Sequence, residues 1–133
     1  MPTSIRRPTN PTPRQGGIYF LQDCPPLDTD QVKGRPVIVV DDAATLRAGG
    51  PVVVVACSST IAESETDRIR LPSRSDTPGC RTGLDKPCWA VPRWFVVVEP
   101  DRLANSRHLG YIAGAKLIEV VCAVQRRITA ENH

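Results

Sequence analysis

Two segments of the chain join an apolar run to polar side chains that could act on a phosphate. In residues 33–40, Arg35 stands where the apolar run begins, and in residues 52–60 three hydroxyl side chains, residues 58–60, close the segment. If the two runs form neighbouring strands, these side chains face a common groove. Arginine neutralises a phosphate through paired hydrogen bonds, and hydroxyls hold it in line for attack. RNA carries its own nucleophile, the 2′-hydroxyl, so the pattern predicts RNA chemistry that needs no metal.

Each of these groups also has a plainer interpretation. Arg35 fits a salt-bridged arginine at the entry of a strand, and Ser58, Ser59 and Thr60 fit a turn whose hydroxyls satisfy nearby backbone groups. Other chemistries have less support in the sequence. The chain has two histidines, of which His133 is the last residue, and it has no CxxC pair, Walker loop, GxGxxG or GxSxG motif. The sequence therefore predicts neither a metal site nor a bound cofactor.

Length and composition predict one globular domain. The chain has 133 residues with 41% hydrophobic content, and its apolar runs are too short to span a bilayer. Residues 1–15 are rich in proline and lack an apolar stretch, so we expect a disordered N-terminal arm and a cytoplasmic protein with reduced cysteines. The net charge is +3, and most of the 17 basic residues are arginine, which suits phosphate and stacks on bases.

The hydrophobic pattern predicts strands first and one helix last. Apolar runs and alternation predict five strands, at residues 17–21, 35–41, 52–57, 67–72 and 93–99, and loops at 24–34 and 73–87. Leu117, Val121, Val124 and Ile128 recur at helical spacing within residues 113–128, with Ile118 and Cys122 widening that face. Because strands and helices do not alternate, a parallel sheet is disfavoured. We therefore expect a mainly β fold, a small barrel or curled antiparallel sheet, with a C-terminal helix.

Several short segments, in their order along the chain, resemble the MazF/PemK (Kid) toxin family. The segments are Gly16–Tyr19, Lys33–Val40, Val55–Ser59, Thr82–Leu84, Asp101–Leu103 and Leu109–Ile112, followed by the amphipathic helix. The resemblance covers residues 16–128 and leaves 129–133 as a tail. It implies an SH3-like β-barrel with a C-terminal helix that acts as a homodimer.

The resemblance also implies a function. Members of this family are metal-independent endoribonuclease toxins that cut single-stranded RNA, chiefly mRNA, at short sequences and leave 2′,3′-cyclic phosphate and 5′-hydroxyl ends. An acidic antitoxin neutralises them, and the loop at residues 24–34 matches the one that covers RNA and that the antitoxin displaces. By resemblance Arg35 is the catalytic arginine, and Ser58 or Ser59 supplies the hydroxyl, with Ser58 favoured. We expect RNA contacts from Lys33, Thr60, Lys86, Trp89 and Arg93.

One departure from the family leaves other functions open. Some PemK-type members carry an Arg-x-Asp-x-Pro-Arg stretch that supplies an acid/base pair, and here Ala90 stands at the acidic position and Cys88 at the first arginine. Asp85 or Lys86 would have to replace them from the preceding loop. The alternatives are a catalytically inactive binding module that keeps the barrel, or an SH3-like protein-interaction domain. Trp89 and Trp94 either stack on bases or pack in the interior.

Overall fold

A computed structural model of the chain describes residues 13–24, 33–60 and 65–131. Within these residues, six antiparallel strands form one curled sheet in the order β4-β5-β3-β2-β1-β6. The strands are β1 (Gly17–Cys24), β2 (Lys33–Val39), β3 (Val52–Ser58), β4 (Ile69–Leu71), β5 (Cys88–Val98) and β6 (Arg107–Tyr111), and the helices are α1 (Ala43–Arg47), α2 (Pro100–Ala104) and α3 (Gly114–Glu131). The mainly β fold with a C-terminal helix is confirmed.

The two predicted phosphate-binding segments are neighbours at the centre of this sheet. β2 pairs with β3, and the paired residues, 37–39 and 54–56, are all apolar because both faces of the sheet are covered there. Successive strand residues point to opposite faces, so Ile38 packs in a cluster with α3 while Val37 packs in a second cluster with Leu103 of α2. We name these the α3 face and the α2 face.

β5 begins at Cys88, five residues before the predicted start at residue 93. The prediction failed because Pro92, which lacks a backbone donor, lies within the strand. Pro92 lies where the pairing of β5 with β3 is irregular. Val55 faces Phe95, whereas Cys57 faces Ala90, so β5 carries extra residues between these two pairs. A bulge tolerates proline because the ladder is already interrupted.

Three short elements were absent from the sequence prediction: α1, α2 and β6. Each has five residues, too few to show a hydrophobic period. The predicted strands also differ at their ends, since β2 stops at Val39 and β4 is limited to Ile69–Leu71. Of these differences β6 matters most, because it forms one edge of the sheet beside β1.

The C-terminal helix is confirmed, with a shifted buried face. Val120, Ala123 and Val124 are buried, while Ile118 is 63% exposed and Cys122 is also exposed. The expectation that Ile118 and Cys122 widen the buried face is therefore wrong; the helix rotates so that the smaller Ala123 sits against the sheet. No helix in the described part of the chain is long and apolar enough to cross a membrane.

The predicted arm and the predicted covering loop lie mostly outside the described residues, at 1–12 and 25–32. The last described residues of the arm contact the sheet: Gln15 donates a hydrogen bond to the Val40 carbonyl at 2.9 Å, and Arg14 lies over the Tyr111 ring. At the other end, α3 continues through the first three residues of the predicted tail to Glu131.

Candidate functional site

A cleft of about 360 Å³ opens where β2 begins and β3 ends. The loop before β5 and the start of β6 complete its walls. Five of the eight predicted site residues line it, namely Lys33, Arg35, Ser58, Ser59 and Lys86. The other three, Thr60, Trp89 and Arg93, are not among its lining residues. The sequence thus predicted most of one side of this cleft.

Sheet register explains why Arg35 and Ser58 come together. Val37 of β2 pairs with Ala56 of β3, and Arg35 and Ser58 each lie two residues beyond this pair. A two-residue step keeps a side chain on the same face of a strand, so both belong to the α2 face. Both are buried despite being polar, with exposures of 6% and 8%.

Arg35 rests on an indole ring. Its guanidinium carbon lies 4.9 Å from the centroid of Trp94, which is 6% exposed. Among the described residues no carboxylate forms a salt bridge with Arg35. Trp94 Nε1 is a buried donor with no hydrogen-bond partner in the described part of the chain. The ring holds the guanidinium by a cation–π contact that leaves its charge available to an anion.

The two serines of the cleft differ in their hydrogen bonding. The Ser58 hydroxyl donates to the Thr60 carbonyl at 2.7 Å and accepts from the Thr60 N–H at 3.1 Å. This is the local turn that the sequence allowed for, and it ties the Ser58 hydroxyl to the Thr60 backbone. The Ser59 hydroxyl makes no hydrogen bond to another described residue. Ser58 must therefore exchange a bond to reach a phosphate, whereas Ser59 is free to do so.

Two buried thiols, Cys57 and Cys88, line the cleft, and the buried thiol of Cys24 lies near Arg35. Burial raises the pKa of Cys24, while the nearby charges of Arg35 and Arg102 oppose this rise. Burial raises the pKa of Cys57 well above its usual value, and the neighbouring Cys88 and Cys24 thiols raise it further. All five cysteines of the chain are free. At neutral pH these thiols add no negative charge that would compete for Arg35.

The acid/base positions of PemK-type members are buried here. Ala90 is fully buried opposite Cys57 in the strand pairing, and Cys88 is 5% exposed. Asp85 and Lys86, the two residues considered as replacements, both line the cleft from the loop before β5. Asp85 also lies 3.5 Å from Arg74 in an exposed ion pair. Asp85 and Lys86 thus share the cleft with Arg35, although neither occupies the family position.

Trp89 and Arg93 face other partners. The guanidinium groups of Arg68 and Arg70 lie 5.5 and 5.8 Å from the Trp89 ring. Arg93 donates from Nε to the Glu65 carboxylate at 2.7 Å, an ion pair in which the Glu65 side chain is 12% exposed. RNA contacts by these residues remain predictions, and the structure gives both a packing partner.

Among the cleft-lining residues that the sequence did not predict as site residues are Phe20 and Arg107. They lie directly opposite each other on β1 and β6. Phe20 falls within a predicted strand but carried no functional signal, and β6 was too short to recognise. Only the pairing of the two strands brings them to the site.

Comparison with known proteins supports the same family. The sequence matches the PemK-like, MazF-like toxins of type II toxin–antitoxin systems over residues 14–128. No curated protein matches it.

Solved structures share the fold at low sequence identity. MazF from Deinococcus radiodurans is 18% identical with a TM-score of 0.66, covering 90% of this chain and 99% of that one. A MazE–MazF structure from the same organism is 14% identical with a TM-score of 0.63, covering 90% and 97%. An endoribonuclease from a mycobacterial species is 18% identical with a TM-score of 0.58, covering 90% and 93%.

The family match includes β2 with Arg35, the turn at residues 58–60 and α3 up to residue 128, and the solved structures have the same architecture. The resemblance drawn from the short segments is thereby confirmed. The chain belongs to the PemK-like, MazF-like toxin family of type II toxin–antitoxin systems.

Proposed function

We propose that the protein is a metal-independent endoribonuclease that cuts single-stranded mRNA at a specific sequence in the cytoplasm. The observation that carries this proposal is Arg35, a buried arginine held against Trp94 without an acidic partner among the described residues, in a cleft shared with two serines. A buried, unneutralised guanidinium is costly unless an anion compensates it, and the phosphodiester of RNA is such an anion.

The chemistry is an intramolecular transfer at phosphorus. The 2′-oxygen of the RNA attacks the phosphorus, the bond to the 5′-oxygen breaks, and the products are a 2′,3′-cyclic phosphate and a 5′-hydroxyl. Arg35 neutralises the charge that builds on the non-bridging oxygens, and Ser58 or Ser59 holds the phosphate in line. Asp85 accepts the 2′ proton and Lys86 donates one to the leaving oxygen.

A protein inhibitor fits the same cleft. Solved relatives include a MazE–MazF complex and a mycobacterial endoribonuclease in complex with its cognate antitoxin. Lys33, Arg35, Lys86 and Arg107 all line the cleft, so an acidic segment of an antitoxin would compete with RNA for it. We also propose that the protein acts as a homodimer.

The decisive experiment uses purified protein and a long single-stranded RNA in EDTA, with the cut ends mapped. The wild type should give discrete cuts with cyclic phosphate ends, and Arg35→Ala should lose at least about 10²-fold in rate. Cleavage rates of Ser58→Ala and Ser59→Ala, with the melting temperature of each variant measured to exclude unfolding, identify the hydroxyl that acts. Cleavage by a folded Arg35→Ala protein at the wild-type rate would overturn the assignment.

A second function is favoured by a specific observation. The acidic position of PemK-type members is Ala90, buried in the sheet where a polar group would lack water. If Asp85 and Lys86 do not replace the missing pair, the protein binds RNA without cutting it. An intact RNA that still co-purifies with the wild type, and not with Arg35→Ala, would support this binding module.

A further inference from the structure

A second cleft, of about 480 Å³, lies beside the first between the end of β1, α2 and β6. Two residues, Phe20 and Arg107, line both clefts. They therefore form the ridge that separates them. Nothing in the family resemblance assigns either residue a role.

The ridge is built by strand pairing. Phe20 of β1 faces Arg107 of β6 on one side and Pro36 of β2 on the other. A side chain at Gly34 would come within 2.5 Å of the Phe20 ring, so the absence of one allows the ring to lie over the start of β2. The ring is half-buried and thus fixed, while one part of it remains open to the clefts.

Arg107 supplies the charge of the ridge. It is exposed, and among the described residues no carboxylate forms a salt bridge with it. An aromatic ring beside an unpaired arginine is the combination that binds single-stranded nucleic acid, since the ring stacks on a base and the arginine binds the adjoining phosphate.

The second cleft has mixed polarity. Asp23 and Asp101 line it together with Arg102, and Gln22, Asn105 and Ser106 add hydrogen-bonding groups. Base edges present both donors and acceptors, so they suit such a lining. A base carries no charge and tolerates the two carboxylates of this cleft, whereas the acidic side chains of a peptide would be repelled by them. This favours an RNA base over an antitoxin segment as the occupant.

We propose that Phe20 and Arg107 bind the nucleotide next to the cleaved bond and direct the RNA from the Arg35 cleft into the second cleft. This inference rests on the proposed ribonuclease function, whose substrate path it extends. Phe20 stacks on the base, Arg107 contacts the phosphate, and the second cleft receives the next base. The protein would then read more than the two nucleotides that flank the cut.

The test is binding of a random-sequence, single-stranded 2′-fluoro RNA, which lacks the attacking hydroxyl and stays intact. Anisotropy titrations are run between about 50 and 200 mM salt. Arg107→Ala should reduce the slope of log affinity against log salt concentration by about one, the loss of one phosphate contact. Arg126 is an exposed arginine of α3, and Arg126→Ala should leave this slope unchanged. Phe20→Leu should weaken binding at least about fivefold, and Phe20→Tyr should bind like the wild type because it keeps the ring.

The outcomes separate the ridge from catalysis. Unchanged affinity and salt dependence in folded Phe20→Leu and Arg107→Ala proteins would overturn the ridge. If these variants instead lose only the binding of a polyglutamate peptide, the ridge serves a protein partner and the RNA proposal is also overturned. If the wild type never cuts RNA yet both variants bind the 2′-fluoro RNA more weakly, the ridge stands and the nuclease activity does not.

Discussion

The guanidinium of Arg35 lies 4.9 Å from the ring centroid of Trp94, and each residue is only 6% exposed. Fifty-nine positions separate them in the sequence, and the bulge in β5 brings the indole onto the face that carries Arg35. A planar guanidinium that stacks on a ring keeps its N–H edges available. We interpret Trp94 as a residue that positions Arg35 rather than as a surface for stacking bases, because its ring is buried.

Substitution of Trp94 should separate the stacking role from simple packing. Trp94→Phe keeps an aromatic face and loses an Nε1–H that has no partner within residues 13–24, 33–60 and 65–131, so we expect a modest change in cleavage. Trp94→Leu removes the ring, and kcat should fall about tenfold with little change in KM. Steady-state cleavage of a defined RNA, with melting temperatures recorded, checks this. Equal losses in the two variants would contradict the stacking role.

Gly83 should be required for the wall of the cleft. Its φ is +73°, and a Cβ there would overlap the Leu109 carbonyl of β6. Gly83→Ala should lower the free energy of unfolding by more than about 2 kcal/mol. This loss is larger than the cost of placing alanine at a positive φ alone, because the Cβ also overlaps β6. Gly79→Ala is the matched control, because its φ is +87° with open space around it, and only about 1 kcal/mol is expected. Urea denaturation of both proteins measures the difference; similar losses would show that β6 does not press on Gly83.

Arg93 should contribute to stability through Glu65. Their charge-assisted hydrogen bond is largely shielded from water, so Glu65→Ala should lower the free energy of unfolding by about 1–3 kcal/mol. The control is Arg74→Ala, which breaks the exposed pair with Asp85 and should cost about 0.5 kcal/mol or less. If Arg93→Ala instead leaves stability intact and reduces the salt dependence of RNA binding, Arg93 is an RNA contact, as first predicted.

Asp76 should make the loop before β5 sensitive to acid. Hydrogen bonds from the Ser73 backbone, then from Arg70, lower the pKa of Asp76 to about 2. A carboxylate with a lowered pKa stabilises the folded state above its unfolded pKa, near 3.9, and loses that effect as the pH falls towards 2. Asp76→Asn should therefore unfold at lower urea than the wild type at pH 7. The gap between the two urea midpoints should close between about pH 4 and pH 2; a gap that stays constant with pH would contradict this origin.

The fold and the core of the site could be predicted from the sequence for a local reason. The apolar runs at β2 and β3 and the helical period of α3 are properties of consecutive residues, and burial of those residues forces the strand or helix that matches them. Arg35, Ser58 and Ser59 then follow from their positions next to such runs. The same logic failed at β5, where Pro92 conceals a strand, and at α1, α2 and β6, which are too short to carry a period.

What the tertiary structure decided is which distant residues meet. The Arg35–Trp94 stack, the Arg93–Glu65 pair and the ridge of Phe20 and Arg107 depend on register, on the bulge in β5 and on the place of β6 beside β1. No local pattern encodes these, because contacts across a sheet are set by how several strands pair at once. The sequence alone determined a β sheet that carries an arginine and hydroxyls at its centre, and folding determined what surrounds them.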